Sequence, residues 1–277
     1  MNDNQWIKKE KPMQGMGGLW GGVGSNLVSG APYVPTAWEA IAPSWFPRET
    51  SCPKPYAWYD MQERNSSTGI SGNNPQDRTG NGRHMTDGAS ITRTTCTGQE
   101  LENGPHDCFT FNNGSSKVKI ISGWPGKTAM SWIHMTSYLS SGGNNGRIWD
   151  CNNEGSGIVN WFVGHHTDRT GIAFYGSFLN TSDPIGDNFG VHFGYYSSGS
   201  DYQYRWKKTD GTTGTYNQTD GGNGDWPASN TGVCINNGPY GEQSDGKCIF
   251  FGTWNSVLTD SQRDAVMDAA YGYYLDT

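Results

Sequence analysis

Ala129-Met130-Ser131-Trp132-Ile133-His134-Met135 is the stretch on which the fold class turns. In an extended chain Ala129, Ser131, Ile133 and Met135 share one face, and Met130, Trp132 and His134 share the other, which is the two-residue period of a β-strand. Working outward, residues 118–122 precede it as a second strand. Residues 147–151, 157–164, 171–179, 189–196, 202–208 and 247–254 follow with the same β-like texture. Turn chemistry separates them: Gly142-Gly143-Asn144-Asn145-Gly146, Asp183-Pro184, Asp210-Gly211 and Asp220-Gly221-Gly222-Asn223-Gly224. Gly tolerates positive φ in such turns, and Asn and Asp side chains bond their own backbone there. Short strands joined by polar turns predict an antiparallel two-sheet sandwich.

One helix is expected, at the C-terminus. Thr259-Asp260-Ser261-Gln262 has the form of a capping box, with Thr259 accepting from the backbone and Gln262 reaching back. Val266, Ala270 and Tyr274 then recur every four residues, giving one apolar face. Composition agrees with a β-rich, loop-rich domain. Gly accounts for 40 of 277 residues, and 12 Trp with 14 Tyr supply the core bulk that a modest aliphatic content does not.

Residues 1–55 read differently. Seven of the 13 Pro lie here, and between Gln14 and Pro47 the only charge is Glu39. Gly-rich sequence cannot build its own core, yet Met16, Leu19, Trp20, Val23 and Leu27 are apolar, which a solvated linker seldom is. The expectation is an extended N-terminal docking arm over residues 1–55, with the β-sandwich over 56–277. The arm's partner would be another protein or a second copy of this chain.

The net charge of −7 lacks the clustered Lys and Arg that phosphates require, so a nucleic-acid partner is not expected. No apolar run approaches the ~20 residues of a membrane-spanning helix. Met1-Asn2-Asp3-Asn4-Gln5-Trp6 lacks the basic-then-apolar order of a secretory signal, which reads as a soluble, unexported chain. Cys52, Cys96, Cys108, Cys151, Cys234 and Cys248 contain no CxxC. Local staples between Cys96 and Cys108 or Cys234 and Cys248 suit the spacing, and free buried thiols suit it equally.

Tyr56-Ala57-Trp58-Tyr59-Asp60, followed by Gln76-Asp77-Arg78-Thr79-Gly80-Asn81-Gly82-Arg83-His84, resembles the opening of laminin-G-like, concanavalin A-like domains. In those domains a WYDA strand leads to a W-x-D-x-SGNG-x-H turn. Arg78-Thr79 replaces the usual Lys-Ser, and Pro75-Gln76 stand where the Trp belongs. Phe109-Thr110-Phe111-Asn112-Asn113-Gly114, Asn160-Trp161-Phe162-Val163-Gly164-His165-His166 and Gly252-Thr253-Trp254-Asn255-Ser256-Val257-Leu258-Thr259-Asp260 resemble later segments of the same family, in the same order. The resemblance covers roughly residues 56–275 and implies a jelly roll. Domains of this type occur in phage structural proteins and bacterial surface proteins, so it does not imply one function.

Catalytic residues are not found. Retaining glycosidases on such sandwiches carry Glu-x-Asp-x-x-Glu, and none of the eight Glu here is so spaced. No G-x-S-x-G or HExxH occurs. His165-His166 point to opposite faces of a strand, and His84, His106, His134 and His192 are scattered, so structural histidines are expected and no metal site is assigned. Calcium is the one ion to weigh, through the oxygens of residues 183–188 and 220–225, although ordinary polar turns explain the same residues. A glycan-binding loop would pair an exposed ring with Asp or Asn. Tyr195, Tyr196, Asp201 and Tyr202 form one candidate, and Asp225 with Trp226 another.

These readings lead to an expectation of a non-enzymatic phage virion component: a capsid decoration or tail-fibre subunit, contacting other virion proteins and host-surface polysaccharide. The alternative is a carbohydrate-binding module or a bacterial surface adhesin, with an extracellular or cell-surface location.

Overall fold

The structure is a computed structural model. It describes residues 36–60, 70–71, 74–86, 92–96, 101, 106–111, 120–121, 129–141, 145–151, 162–166, 169–174, 177–184, 189–197, 201–218, 233–235 and 244–276. Every described residue belongs to one compact unit, Pro35–Thr277. The proposed docking residues Met16, Leu19, Trp20, Val23 and Leu27 therefore lie outside the described residues.

The described chain is mostly antiparallel β-sheet with one C-terminal helix. Its strands are β1 (Ala57–Asp60), β2 (Ile70–Ser71), β3 (Asn74–Pro75), β4 (Met85–Thr86), β5 (Thr92–Cys96), β6 (His106–Phe111), β7 (Ile120–Ile121), β8 (Met130–Ser141) and β9 (Asn145–Cys151). They continue with β10 (Phe162–His166), β11 (Arg169–Phe174), β12 (Ser177–Pro184), β13 (Gly190–Tyr196), β14 (Tyr202–Lys208), β15 (Thr213–Gln218), β16 (Val233–Ile235) and β17 (Ser244–Trp254), and the helix is α1 (Asp260–Tyr274). One sheet runs β15-β14-β13-β8-β17-β6-β5, with β1 also on β17; a second runs β12-β11-β10-β9-β16-β7-β4; β2 and β3 pair separately.

Several strand expectations need adjusting. The run 171–179 is two strands, because β11 and β12 pair with each other as a hairpin, Phe174 opposite Ser177. Strand β15 was not foreseen, since Thr213–Gln218 has no apolar alternation. It pairs with β14 across the Asp210-Gly211 turn. There Gly211 has φ 78° and Asp210 accepts from the Thr212 backbone at 2.8 Å.

In β8 the two faces separate as the pattern requires. Ile133 and Met135 join Val191, Phe193, Phe250 and Trp254 in a core covered by Val266, Met267, Ala270 and Tyr274 of α1. The opposite face carries Trp132, His134 and Thr136. On this side Phe251 of β17 stacks on Trp149 of β9 with ring centroids 3.6 Å apart, joining the two sheets.

Three tryptophans on the larger sheet lie across a glycine of the neighbouring strand. Register pairs Trp58 with Gly252, Trp132 with Gly194, and Trp206 with Gly214. A Cβ added at these glycines would come within 2.2, 2.4 and 1.7 Å of the indole carbons. The absent side chain is the space the ring occupies.

Helix α1 begins as its sequence dictates. Thr259 Oγ1 accepts from Gln262 N at 3.3 Å, and Gln262 Oε1 accepts from Thr259 N at 3.0 Å. Arg205–Asp264 (2.8 Å) and Lys207–Asp268 (3.0 Å) then tie the helix to β14.

Residues 36–55, expected in the arm, pack on the sheet. Trp38 is 1% exposed and Cys52 fully buried, and Trp45 and Phe46 pack against the same cluster. Trp254 Nε1 donates to Pro53 O at 2.7 Å. Aromatic bulk does here what aliphatic residues would do elsewhere. Of the two foreseen staples, Cys96–Cys108 is a disulfide. The Cys234–Cys248 staple is corrected, because Cys248 is a free, fully buried thiol inside the β17 core face.

Candidate functional site

The turn after β3 supplies part of the floor of the site. Asp77, 5% exposed, is its hub. Its Oδ1 accepts from Trp58 N (3.2 Å), Thr79 N (3.0 Å) and Thr79 Oγ1 (2.7 Å), and its Oδ2 accepts from Arg83 N (3.2 Å). Gly80 and Gly82 sit at φ 78° and 71°, which closes the loop around this carboxylate. His84 Nδ1 accepts from Asp77 N at 3.1 Å, and Arg83 lies over the Tyr56 ring at 3.4 Å. The carboxylate thus fixes the loop, and the loop places Arg78.

Arg78 points back toward β1. Its Nη1 lies 3.3 Å from Asp60 Oδ2, and its Nη2 donates to Ile41 O. The two side chains are 13% and 3% exposed. They form the floor of a cleft of about 240 Å3, lined by Ala42, Pro43, Ser44, Trp45, Asp60, Arg78, Tyr273 and Tyr274. The walls come from the segment before β1 and from the last turn of α1.

The aromatic walls hold one another. Trp45 and Tyr273 are half-buried, with centroids 6.3 Å apart and planes 27° from parallel. Trp45 Nε1 donates to the Tyr274 hydroxyl at 3.3 Å. Tyr273 meets Tyr274 edge-on at 4.7 Å, and His106 packs edge-on against Tyr274 at 4.9 Å. Burial raises the Tyr274 phenol well above its ordinary pKa, with the Asp60 charge adding to the effect. The cleft offers half-exposed ring faces beside a compensated charge pair, a combination suited to stacking and to hydrogen bonding at once.

A second cleft of about 170 Å3 lies between β14, β15 and α1. Its charges are engaged in the Arg205–Asp264 and Lys207–Asp268 pairs, and its indole, Trp206, is 4% exposed. It has less to offer a ligand.

The sequence-derived glycan residues are placed as follows. Tyr195 and Tyr196 end β13 on opposite faces. Tyr196 is 8% exposed, whereas Tyr195 is half-buried against the core with its hydroxyl donating to Asp201 Oδ1 at 3.4 Å. Ser197 Oγ donates to the other Asp201 oxygen at 3.2 Å, so Asp201 closes the β13–β14 connection. Tyr202 opens β14. Asp225 and Trp226 lie outside the described residues, as do residues 185–188 and 220–225 of the calcium-candidate loops. Among the described residues no three His, Cys, Asp or Glu side chains come together as metal ligands.

Two histidines read as scattered are in fact neighbours. Register puts His134 opposite His192, and their rings stack at 4.9 Å. His134 Nδ1 lies 3.1 Å from Thr136 Oγ1, and the Tyr204 hydroxyl lies 2.9 Å from His192 Nδ1. Burial, and repulsion from His192 once that ring is protonated too, hold His134 well below the ordinary range. Burial, with Lys208 nearby, lowers His192 to about 3. These are neutral interior imidazoles.

The chain matches no protein-family model, and no curated protein is similar to it in sequence. Solved structures do resemble it. The likeness is to carbohydrate-active proteins. Domain 4 of AbnA, a GH43 extracellular arabinanase from Geobacillus stearothermophilus in complex with arabinotriose, is 13% identical with a TM-score of 0.52, over 78% of this chain and 98% of that one. A GH54 α-L-arabinofuranosidase gives 13% identity and a TM-score of 0.53, over 73% of this chain and 51% of that one. A Trypanosoma rangeli sialidase gives 9% identity and 0.51, over 79% of this chain and 33% of that one. The chain thus spans about a third of the sialidase and half of the arabinofuranosidase. At these identities the likeness is one of fold.

The expectation of a phage virion component is corrected by these neighbours, and nothing in the fold or the comparisons supports a capsid or tail role. The motifs behind that expectation are the strand and turn chemistry of a widely used β scaffold, and a scaffold does not carry a setting with it.

The site itself was missed in the sequence because its parts come from residues 42–45, 60, 78 and 273–274. A usable signal was present: Trp45 stands in a nearly uncharged segment that is too aromatic for a linker.

Proposed function

We propose that this chain is a carbohydrate-binding module, or the equivalent domain of a surface adhesin, built on a concanavalin A-like jelly-roll sandwich and acting without catalysis. The observation that carries this reading is the cleft in which Trp45 and Tyr273 flank the Asp60–Arg78 pair. Sugars present apolar ring faces that stack on aromatics, and hydroxyls that suit charged donors and acceptors. The likeness in fold to a complete arabinanase domain solved with arabinotriose supports the same reading. A binding role is favoured over hydrolysis because none of the eight Glu has the Glu-x-Asp-x-x-Glu spacing. The Cys96–Cys108 disulfide fits an oxidising, extracellular or cell-surface setting.

The test is a glycan array and affinity electrophoresis in polysaccharide gels, comparing the wild type with Ser44→Trp. Ser44 is exposed at the mouth of the cleft, so the indole would fill the site without entering the core. Retardation by at least one polysaccharide, abolished in Ser44→Trp, is expected. Retardation that Ser44→Trp leaves intact would remove the cleft from the reading.

A further inference from the structure

We infer that the cleft selects a single sugar ring that carries no charge, an inference that rests on the saccharide-binding reading above. Its floor holds one carboxylate and one guanidinium 3.3 Å apart, and both are largely withdrawn from water. Their charges cancel. A uronate or sialate carboxylate entering the cleft would set a second negative charge beside the almost fully buried Asp60 carboxylate, with Arg78 the one cation among the lining residues. Two carboxylates sharing one guanidinium away from water repel each other, and the entering one loses its hydration without a counter-charge of its own.

A hydroxyl makes no such demand. It donates to a carboxylate and accepts from a guanidinium without altering the charge of either, so it can bridge the existing pair. The other lining groups, Ser44, Trp45, Tyr273 and Tyr274, are uncharged and suited to the ring face and rim of a neutral sugar. The chain's overall charge of −7 adds a long-range bias against anionic polymers. Size sets the second condition. At about 240 Å3 the cleft falls below the roughly 300–1,000 Å3 of pockets for drug-sized ligands, which leaves room for one ring rather than a length of chain.

Methyl glycosides of arabinose, galactose, glucose and mannose, set against those of glucuronic acid and N-acetylneuraminic acid, are the probes. Ligand-observed saturation-transfer NMR on the full chain gives their relative affinities, with Tyr273→Ala, Ser44→Trp and the distant exposed-ring control Tyr216→Ala alongside. The expected result is at least one neutral glycoside bound tenfold or more tightly than either acid. That signal should disappear in Ser44→Trp and Tyr273→Ala and persist in Tyr216→Ala. Ser44→Trp stands alone if Tyr273→Ala does not fold. Acidic glycosides bound as well as neutral ones, and lost in Ser44→Trp, would overturn the charge selection while leaving the saccharide site in place. No glycoside bound, or binding indifferent to Ser44→Trp, would overturn the saccharide reading and this inference together.

Discussion

Replacing Gly252 by alanine tests whether the Trp–Gly pairs organise the larger sheet. An added Cβ would stand 2.2 Å from Trp58 Cε3 and 2.4 Å from Cζ3, well inside contact distance, so the ring must shift by more than an ångström. It has nowhere to go. Trp58 is fully buried, stacked on Phe250 at 5.2 Å and 16°, and met edge-on by Phe46 at 5.1 Å and by Trp38 at 6.3 Å. Forcing a methyl group into such a core costs about 1–3 kcal/mol. Relief of glycine's conformational freedom returns about 0.5–1 kcal/mol, so the clash wins. A 2.2 Å approach with no room to yield selects the upper part of that range, about 2–3 kcal/mol, and the net loss of about 1–2.5 kcal/mol lowers Tm by about 2–10 °C in a domain of this size. Gly272→Ala is the opposite-sign control. It lies in α1 with no atom within 4 Å of an added Cβ, and should gain about 0.5–1 kcal/mol. Differential scanning calorimetry of both variants decides the matter. A Gly252→Ala protein that melts at or above the wild-type temperature would refute the argument.

Stability should also fall with pH. Both His134 and His192 titrate lower in the fold than the ordinary 6.5, so the unfolded chain takes up protons first as pH drops. Stability is then lost progressively from about pH 6.5 toward 3, at up to about 1.4 kcal/mol per pH unit for each ring. Urea midpoints at pH 7 and pH 5 should show this, and His192→Asn should flatten the slope; equal midpoints in the wild type would count against it. Burial pushes the Cys52 thiol up to about 12 and Cys248 higher still, so neither should react with a thiol reagent until the protein is unfolded. Thr259→Ala removes the capping box and should cost about 1 kcal/mol by chemical denaturation. Opening the Cys96–Cys108 disulfide as a double serine variant should cost about 2–3 kcal/mol, as expected for a short loop, read from the same curves.

What could be read in the sequence was local chemistry. The Thr259–Gln262 box, the Asp210-Gly211 turn and the alternation at Ala129–Met135 are each settled within a few residues, and each appears where expected. What could not be read depends on register between distant segments. Nothing near His134 announces His192, and nothing near Trp58 announces Gly252. Both pairs exist only once β8 meets β13 and β1 meets β17. The cleft belongs to the same class, since Trp45, Asp60, Arg78 and Tyr273 are brought together only by the finished sheet. The segment 36–55 was misjudged for another reason. Pro and Gly next door suggest an arm that docks on another surface, while Trp38, Trp45 and Phe46 fasten it to its own sheet.

The seating of β17 has a consequence for how the molecule comes into being. It is the last of the described strands in chain order, yet it sits between β8 and β6 and also takes β1. Until it leaves the ribosome, three strands lack a shared neighbour, and the indole of Trp58 lacks the glycine beneath it. The nascent chain must therefore wait, with its aromatic interior open, for residues 244–254 before the larger sheet can close. Pairings over such sequence distances are slow and expose sticky intermediates meanwhile. Shielding of the emerging chain should matter most before residue 244, and a stop codon just upstream of β17 should yield aggregate rather than a shorter folded protein.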